Sequence, residues 1–158
     1  MDKVYRAYYS SPIGEIEITA TDKELCGVDF IKGKEKRPAT ARSSALEEGV
    51  KQIDEYFKGK RRIFELRLRL PGTDFQNRVW RALLDVGFGA TASYGEIAAA
   101  IGHPKAVRAV GGANGKNPIG IIIPCHRIIG SSGALVGYGG GLCRKKWLLD
   151  HEKKISSK

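Results

Sequence analysis

The sequence predicts two small domains, an α/β domain over residues 1–72 and a mainly α domain over residues 73–158 that contains a helix-turn-helix. Three observations predict this. Short β-rich runs separated by turn residues precede a single helical stripe in the first half; Pro71-Gly72 then breaks the pattern; and two short helices joined at Gly102-His103 follow in the second. At 158 residues and 42% hydrophobic side chains, the chain is long and apolar enough to bury a core in each half.

Val4 to Tyr9 is rich in β-formers, Ser10 to Gly14 is turn chemistry, and Ile16, Ile18 and Ala20 alternate with polar residues before Leu25 to Phe30. These runs predict an antiparallel meander. The Lys- and Arg-dense stretch 31–42, with Gly33 and Pro38, has no periodicity and reads as a loop. Leu46, Val50, Ile53 and Phe57 recur at helical spacing, with Ser44 and Glu47 placed as a capping box. From Phe64 the period becomes two, Phe64, Leu66, Leu68 and Leu70 facing inward, which predicts a further strand.

In the second half, Phe75, Val79, Leu83 and Val86 form a helical stripe that Trp80 and Leu84 widen, and Gly87 and Gly89 end it. Ser93 and Glu96 are spaced as the capping box of a short helix to Ile101. Pro104 suits the first position of the next helix, which runs through Lys105, Val107 and Arg108 to Gly111-Gly112. Ile119 to Ile123 is too apolar to be exposed and ends at Pro124-Cys125-His126-Arg127. Gly130 to Gly133 is a turn, residues 137–141 a flexible loop, and Leu142 to Glu152 a closing helix with a frayed tail at 153–158.

Charge separates the halves. The total is +10; residues 1–72 carry 15 basic and 12 acidic groups, residues 73–158 carry 12 and 5. Uncompensated Lys and Arg attract polyanions at long range, so the second half is a candidate nucleic-acid binder, with a merely solubilising surface as the alternative. The second helix of the hairpin combines Lys105 and Arg108 with the small Ala106, Ala109 and Gly112, which lets its backbone approach a groove closely. No apolar run is long enough to cross a bilayer and the first residues lack a secretory pattern, so a cytoplasmic protein is expected. Cys26, Cys125 and Cys143 are odd in number and without CxxC spacing, against a disulfide framework or a Cys-rich zinc site.

Cys125 is the candidate nucleophile because a thiolate is favoured by neighbouring positive charge and a proton-accepting imidazole, here Arg127 and His126. Neighbours in a strand point to opposite faces, so His126 serves Cys125 only through a bend, which Pro124 makes plausible, or a bridging water. The acids near in sequence and available to orient the imidazole are Asp150 and Glu152. On these residues alone a buried structural cysteine is an equal alternative.

The string Ile123-Pro124-Cys125-His126-Arg127-Ile128-Ile129 resembles the active-site signature of the O6-alkylguanine-DNA alkyltransferases, also called methylated-DNA--protein-cysteine methyltransferases. The resemblance extends over 73–152, through Phe75-Gln76, Val79-Trp80, Ser93-Tyr94-Gly95, residues 106–111, Asn114, Asn117-Pro118, the Ser131-Ser132-Gly133 turn, Gly140-Gly141-Leu142 and Lys146 to Leu149. It implies a ribonuclease-H-like first domain and a winged-helix-like second domain. It implies repair of DNA in which O6-alkylguanine, with O4-alkylthymine left open, is flipped out and its alkyl group passes irreversibly to Cys125 in a single turnover.

By the same resemblance His126 is the water-mediated base, Glu152 orients it, Asn117 ties the helix-turn-helix to the active-site segment, and Tyr94 contacts the guanine and the rotated phosphate. Arg108 fills the gap in the base stack, with Ala106, Ala109, Gly112 and Arg127 at the DNA, which is bound through the minor groove. Tyr138, Gly139, Gly140 and Ile128 wall the base pocket. No cofactor and no metal are expected, since Cys26 is the sole Cys or His before His103; the partner is double-stranded DNA, with no membrane, and the protein is a monomer. The competing classes are a lesion-binding relative, which lacks the acceptor cysteine, a helix-turn-helix regulator and a cysteine hydrolase.

Overall fold

The structure, a computed structural model, describes residues 2–31 and 36–157. They divide between Leu70 and Pro71, two residues before the expected boundary, into two compact units. Part of the predicted 31–42 loop, residues 32–35, lies outside the described residues.

The first unit is an antiparallel sheet in the order β1 (Tyr5–Ser11), β2 (Gly14–Ala20), β3 (Leu25–Phe30), covered by α1 (Ser44–Phe57). Ser11 pairs with Gly14 and Tyr5 with Ala20, a register that puts Ala7, Ile16, Ile18 and Val28 into the core against Leu46, Ile53 and Tyr56. Gly49 lets α1 lie close on the sheet: a Cβ there would lie 2.6 Å from Leu25 Cδ1, and that buried side chain would have to shift. The helix is capped by Ser43 rather than Ser44: the Ser43 hydroxyl accepts from Leu46 N at 3.2 Å and donates to Thr21 O at 2.8 Å. That second bond ties the cap to the sheet, which Ser44 one residue later does not do. The predicted strand at 64–70 keeps its alternating burial only as far as Leu68 and forms one parallel bridge, Leu68 to Leu25. Part of its backbone is taken by a side chain: Glu65 N donates to Gln52 Oε1 and Glu65 O accepts from Gln52 Nε2.

The second unit begins with α2 (Asp74–Leu84), whose N-cap Thr73 and N3 Gln76 form a reciprocal capping box. Val79, Trp80 and Leu83 are buried, but Leu84 is exposed, so the apolar stripe is narrower than expected. β4 (Ala92–Ser93) leads into α3 (Tyr94–Ala100), capped by Ser93 and Glu96 as expected. Gly102, at φ +80°, turns the chain into α4 (Val107–Gly115). This helix starts three residues after Pro104, with Ala106 as N-cap, and passes through the Gly111-Gly112 pair because Val110, Ala113 and Asn114 hold it to the core. Together α3 and α4 are the helix-turn-helix. Arg78 fixes its turn from α2, donating to Ile101 O at 3.0 Å, and Trp80 Nε1 donates to Ala113 O at 2.9 Å. The last helix, α5 (Leu142–Ser156), takes in most of the tail expected to fray.

Candidate active site and nucleic-acid interface

Residues 119–124 form a tight knot rather than a strand. Ile123 N bonds to Ile119 O at 2.9 Å and Cys125 N to Ile123 O at 2.8 Å, and Ile121 sits at φ +71°, a left-handed conformation rare for a β-branched residue. Asn117 closes the knot at both ends, donating through Nδ2 to Ile123 O at 2.7 Å and accepting through Oδ1 from Ile119 N at 2.9 Å. Its side chain over-determines the strained loop.

The knot delivers Cys125 into a 3-10 turn, Cys125–Arg127, followed by β5 (Ile128–Ile129). The turn is the bend that a Cys-His pair requires. β5 runs parallel to β4, pairing Ala92 with Ile128 and Ser93 with Ile129, so the backbone that carries Cys125 is registered against the backbone that starts Tyr94. None of the sequence patterns predicts this two-stranded sheet.

Cys125 is 7% exposed, His126 fully buried and Glu152, from α5, 1% exposed. His126 Nε2 lies 2.7 Å from Glu152 Oε2, and Arg127 reaches the same carboxylate with Nε at 2.8 Å from Oε1 and Nη2 at 3.1 Å from Oε2. Burial by itself raises the Glu152 carboxyl, but the hydrogen bond and charge of His126 and the guanidinium of Arg127 hold it well below the usual carboxylate range. Burial pushes the His126 imidazole down from its ordinary value, against the pull of Glu152. The imidazole is therefore neutral at pH 7, Nε2–H donates to Glu152, and Nδ1 carries the lone pair. Nδ1 is buried and has no protein hydrogen-bond partner. A neutral imidazole with its basic nitrogen unspent, in the residue next to a thiol, is a proton acceptor in waiting.

Arg127 corrects the sequence expectation. It is 6% exposed, its Nη1 donates to Val86 O at 2.7 Å, and its Nε and Nη2 donate to Glu152. Burial and pairing make it a brace for the carboxylate and leave it no face toward DNA. The Ile128 backbone is similarly engaged: its N–H donates to Cys125 O and is closed to a base edge, while its carbonyl accepts from Lys145 and keeps a second lone pair.

Lys145 is the residue that sequence reasoning passed over. It is fully buried, and its ammonium holds Ile128 O, Val136 O at 2.8 Å and Gly137 O at 3.5 Å. Burial lowers its pKa and the charge of Cys125 raises it in part; the same attraction, felt at the sulfur, favours thiolate. The available signal was position, since Lys145 lies one helical turn before the buried Leu148 on α5. Tyr94 also donates to Val136 O, at 3.2 Å, and its phenol is raised by burial and then by Cys125. Tyr94 and Lys145 thus grip one loop beside the sulfur. Tyr138 and Gly139-Gly140 lie in that loop, between β5 and α5, Tyr138 and Gly140 half-buried and Gly139 exposed.

On α4, Arg108, Ala109 and Gly112 are exposed together with Val107, and Ala106 is half-buried at the cap. Among the described residues Arg108 and Lys105 have no carboxylate partner. Cys143 is exposed at the start of α5, Cys26 half-buried in β3. No described helix is long and apolar enough to cross a membrane.

A helix-turn-helix with an unneutralised basic face, joined to a buried Cys-His-Glu array, defines a DNA-binding protein that carries out chemistry with a cysteine. Comparison with known proteins makes this specific. Residues 74–154 match the family described as 6-O-methylguanine DNA methyltransferase, DNA binding domain, and residues 4–70 match its ribonuclease-like domain. The methylated-DNA--protein-cysteine methyltransferase of Methanosarcina barkeri is 46% identical over 95% of this chain and 98% of its own, and that of Mycobacterium bovis 48% over 90% and 88%. The crystal structure of Mycobacterium tuberculosis O6-methylguanine methyltransferase superposes with a TM-score of 0.88 at 46% identity, covering 97% of this chain and 94% of that one. A complex of the M. tuberculosis protein with DNA gives 0.86 at 47% identity, covering 94% and 92%. The chain belongs to the methylated-DNA--protein-cysteine methyltransferase family. It acts in DNA repair by moving an alkyl group from DNA to a cysteine.

Proposed function

We propose that the acceptor is Cys125, that the lesion is O6-alkylguanine in duplex DNA, and that each molecule acts once. The observation that carries this reading is the neutral His126, its Nε2–H committed to Glu152 and its Nδ1 lone pair unspent beside the cysteine. The thiol proton passes to Nδ1, through water where the reach demands it, and Sγ attacks the alkyl carbon. The carbon–sulfur bond forms as the carbon–O6 bond breaks, its electron pair goes to the guanine, and the proton returns to the departing base. A thioether offers water no carbonyl to attack, so nothing regenerates the thiol.

The alkylated base is inside the duplex, so it must be rotated out, at about a few kcal/mol. Arg108, exposed and unpaired, would enter the vacated stack while the small Ala106, Ala109 and Gly112 let α4 approach the minor groove. Tyr94 and the loop through Tyr138, Gly139 and Gly140 would wall the base, with the Ile128 carbonyl at its edge. The protein would work as a monomer on cytoplasmic DNA, positioned by phosphate contacts that read no sequence.

Intact mass before and after incubation with excess O6-methylguanine duplex tests the reading: one methyl group per chain, on Cys125 by peptide mapping, is expected, and repeated turnover would refute it. The base also has a pH signature. Because His126 titrates below its ordinary value of 6.5, the transfer rate should hold down to pH 6.5 and fall only in more acid solution. An acid limb centred above 6.5 would remove His126 from the role.

A further inference from the structure

The helix that faces DNA also touches the nucleophile's own backbone. On α4, Arg108, Ala109 and Gly112 face outward, whereas Asn114 faces inward and is 5% exposed. Its Nδ2 donates to Cys125 O at 3.5 Å, and its Oδ1 is buried with no hydrogen-bond partner. Cys125 O is also the acceptor for Ile128 N, the bond that closes the 3-10 turn. Asn114 therefore holds the turn that presents the thiol, from a helix that belongs to the DNA interface. One turn earlier on α4, Gly111 is where a Cβ would stand 3.9 Å from the Tyr94 ring, so residues 111 and 114 abut the two elements that flank the sulfur.

A half-satisfied carboxamide is a poor choice for packing, since an apolar side chain of the same size fills the space without leaving an acceptor unpaired. Asn117 does not need its help: the Asn117 amide is satisfied at both ends within the 119–123 knot and does not bond to Cys125. Asn117 fixes the segment before Pro124, and Asn114 addresses the residue after it.

We propose that Asn114 is a positioning residue that transmits engagement of α4 by DNA to the Cys125 turn, so that the thiol is held in its reactive orientation when duplex is bound. The carboxamide is the link: a small shift of α4 on the groove changes the pull of Nδ2 on Cys125 O, and the 3-10 turn follows. This rests on the reading that α4 binds DNA and Cys125 accepts the alkyl group, and wild-type stoichiometry on Cys125 checks that reading separately.

The test compares wild type with Asn114→Leu, which keeps the branching and the number of heavy atoms and removes both polar atoms, and with Asn114→Ala in case the first variant does not fold. Three quantities are measured: the dissociation constant for unmodified duplex, the transfer rate constant at saturating O6-methylguanine duplex, and the rate constant with O6-benzylguanine as the isolated base. The expected result is a duplex dissociation constant within about twofold of wild type and a DNA-borne transfer rate lowered about tenfold. The loss with the isolated base should be at least about fivefold smaller, since no groove pulls on α4 there. A residue that merely supports the fold lowers both rates alike. Equal losses, no loss, or a weakened dissociation constant that accounts for the slower transfer would each overturn the proposal.

Discussion

Cys125→Ala is expected to abolish alkyl transfer to the protein while Cys26→Ala and Cys143→Ala retain it at the wild-type rate. The three thiols differ in surroundings. Cys26 is half-buried in β3, and burial raises its thiol, with Arg69 pulling the other way, so it is a weak nucleophile at neutral pH. Cys143 is exposed and has basic neighbours in Arg144 and Lys146, but no histidine stands next to it in the sequence. Only Cys125 combines an adjacent imidazole, the nearby charge of Lys145 and the Tyr94-held loop. The Ala substitution removes one buried sulfur, so stability should change by about 1 kcal/mol and DNA binding should remain within about twofold. A methyl-labelled oligonucleotide with peptide mapping reads the outcome; label appearing on Cys143 in Cys125→Ala would defeat the assignment.

The largest stability effect should come from Glu152→Ala. Its carboxylate neutralises Arg127 and orients His126, and all three are almost fully buried. Removing it leaves a buried guanidinium without its counter-charge and an imidazole N–H without its acceptor, at a cost of about 3–5 kcal/mol. Glu152→Gln keeps an acceptor of the same shape and should lose less, which separates charge from geometry. The pH dependence has a definite sign. The folded carboxyl titrates below its unfolded value near 4.5, so it contributes stability above that value and the contribution is lost as the pH falls toward the depressed folded one. His126 acts in the same direction from a higher starting point. The unfolded imidazole takes up a proton below about 6.5 that the buried one refuses, so acid favours unfolding from there downward. Urea unfolding of wild type should show stability declining from pH 6.5, and Glu152→Ala should show a smaller further decline below 4.5. An unchanged unfolding midpoint in Glu152→Ala would show that Arg127 and His126 do not depend on this carboxylate.

The elements with local signals were readable in the sequence. The meander, α1, α2 and α3 follow from periodicity and capping residues, and the Pro-Cys-His-Arg string points to the reacting group. What escaped has a tertiary origin. Ser43 rather than Ser44 caps α1 because its hydroxyl reaches the Thr21 carbonyl, directly after β2. Residues 64–70 have the alternation of a strand, yet a Gln52 side chain takes the Glu65 backbone. Pro104 can begin a helix, but α4 waits until Val107, where its buried face starts. Arg127 and Lys145 illustrate the same limit at the site. Sequence counts both as positive charge for the surface, and only the fold shows that one is enclosed by Glu152 and Val86 O and the other by three carbonyls. The β4–β5 pair, two residues each, is too short to leave a pattern, although it sets Tyr94 beside the cysteine turn.

That the carboxylate orienting His126 resides in α5 has a consequence during biosynthesis. The nascent chain releases residues in order, so the cysteine leaves the ribosome ahead of the helix that gives its base a fixed tautomer. Until α5 docks, the thiol is an ordinary one, and incomplete polypeptides that stop short of it carry no armed sulfur into the cell.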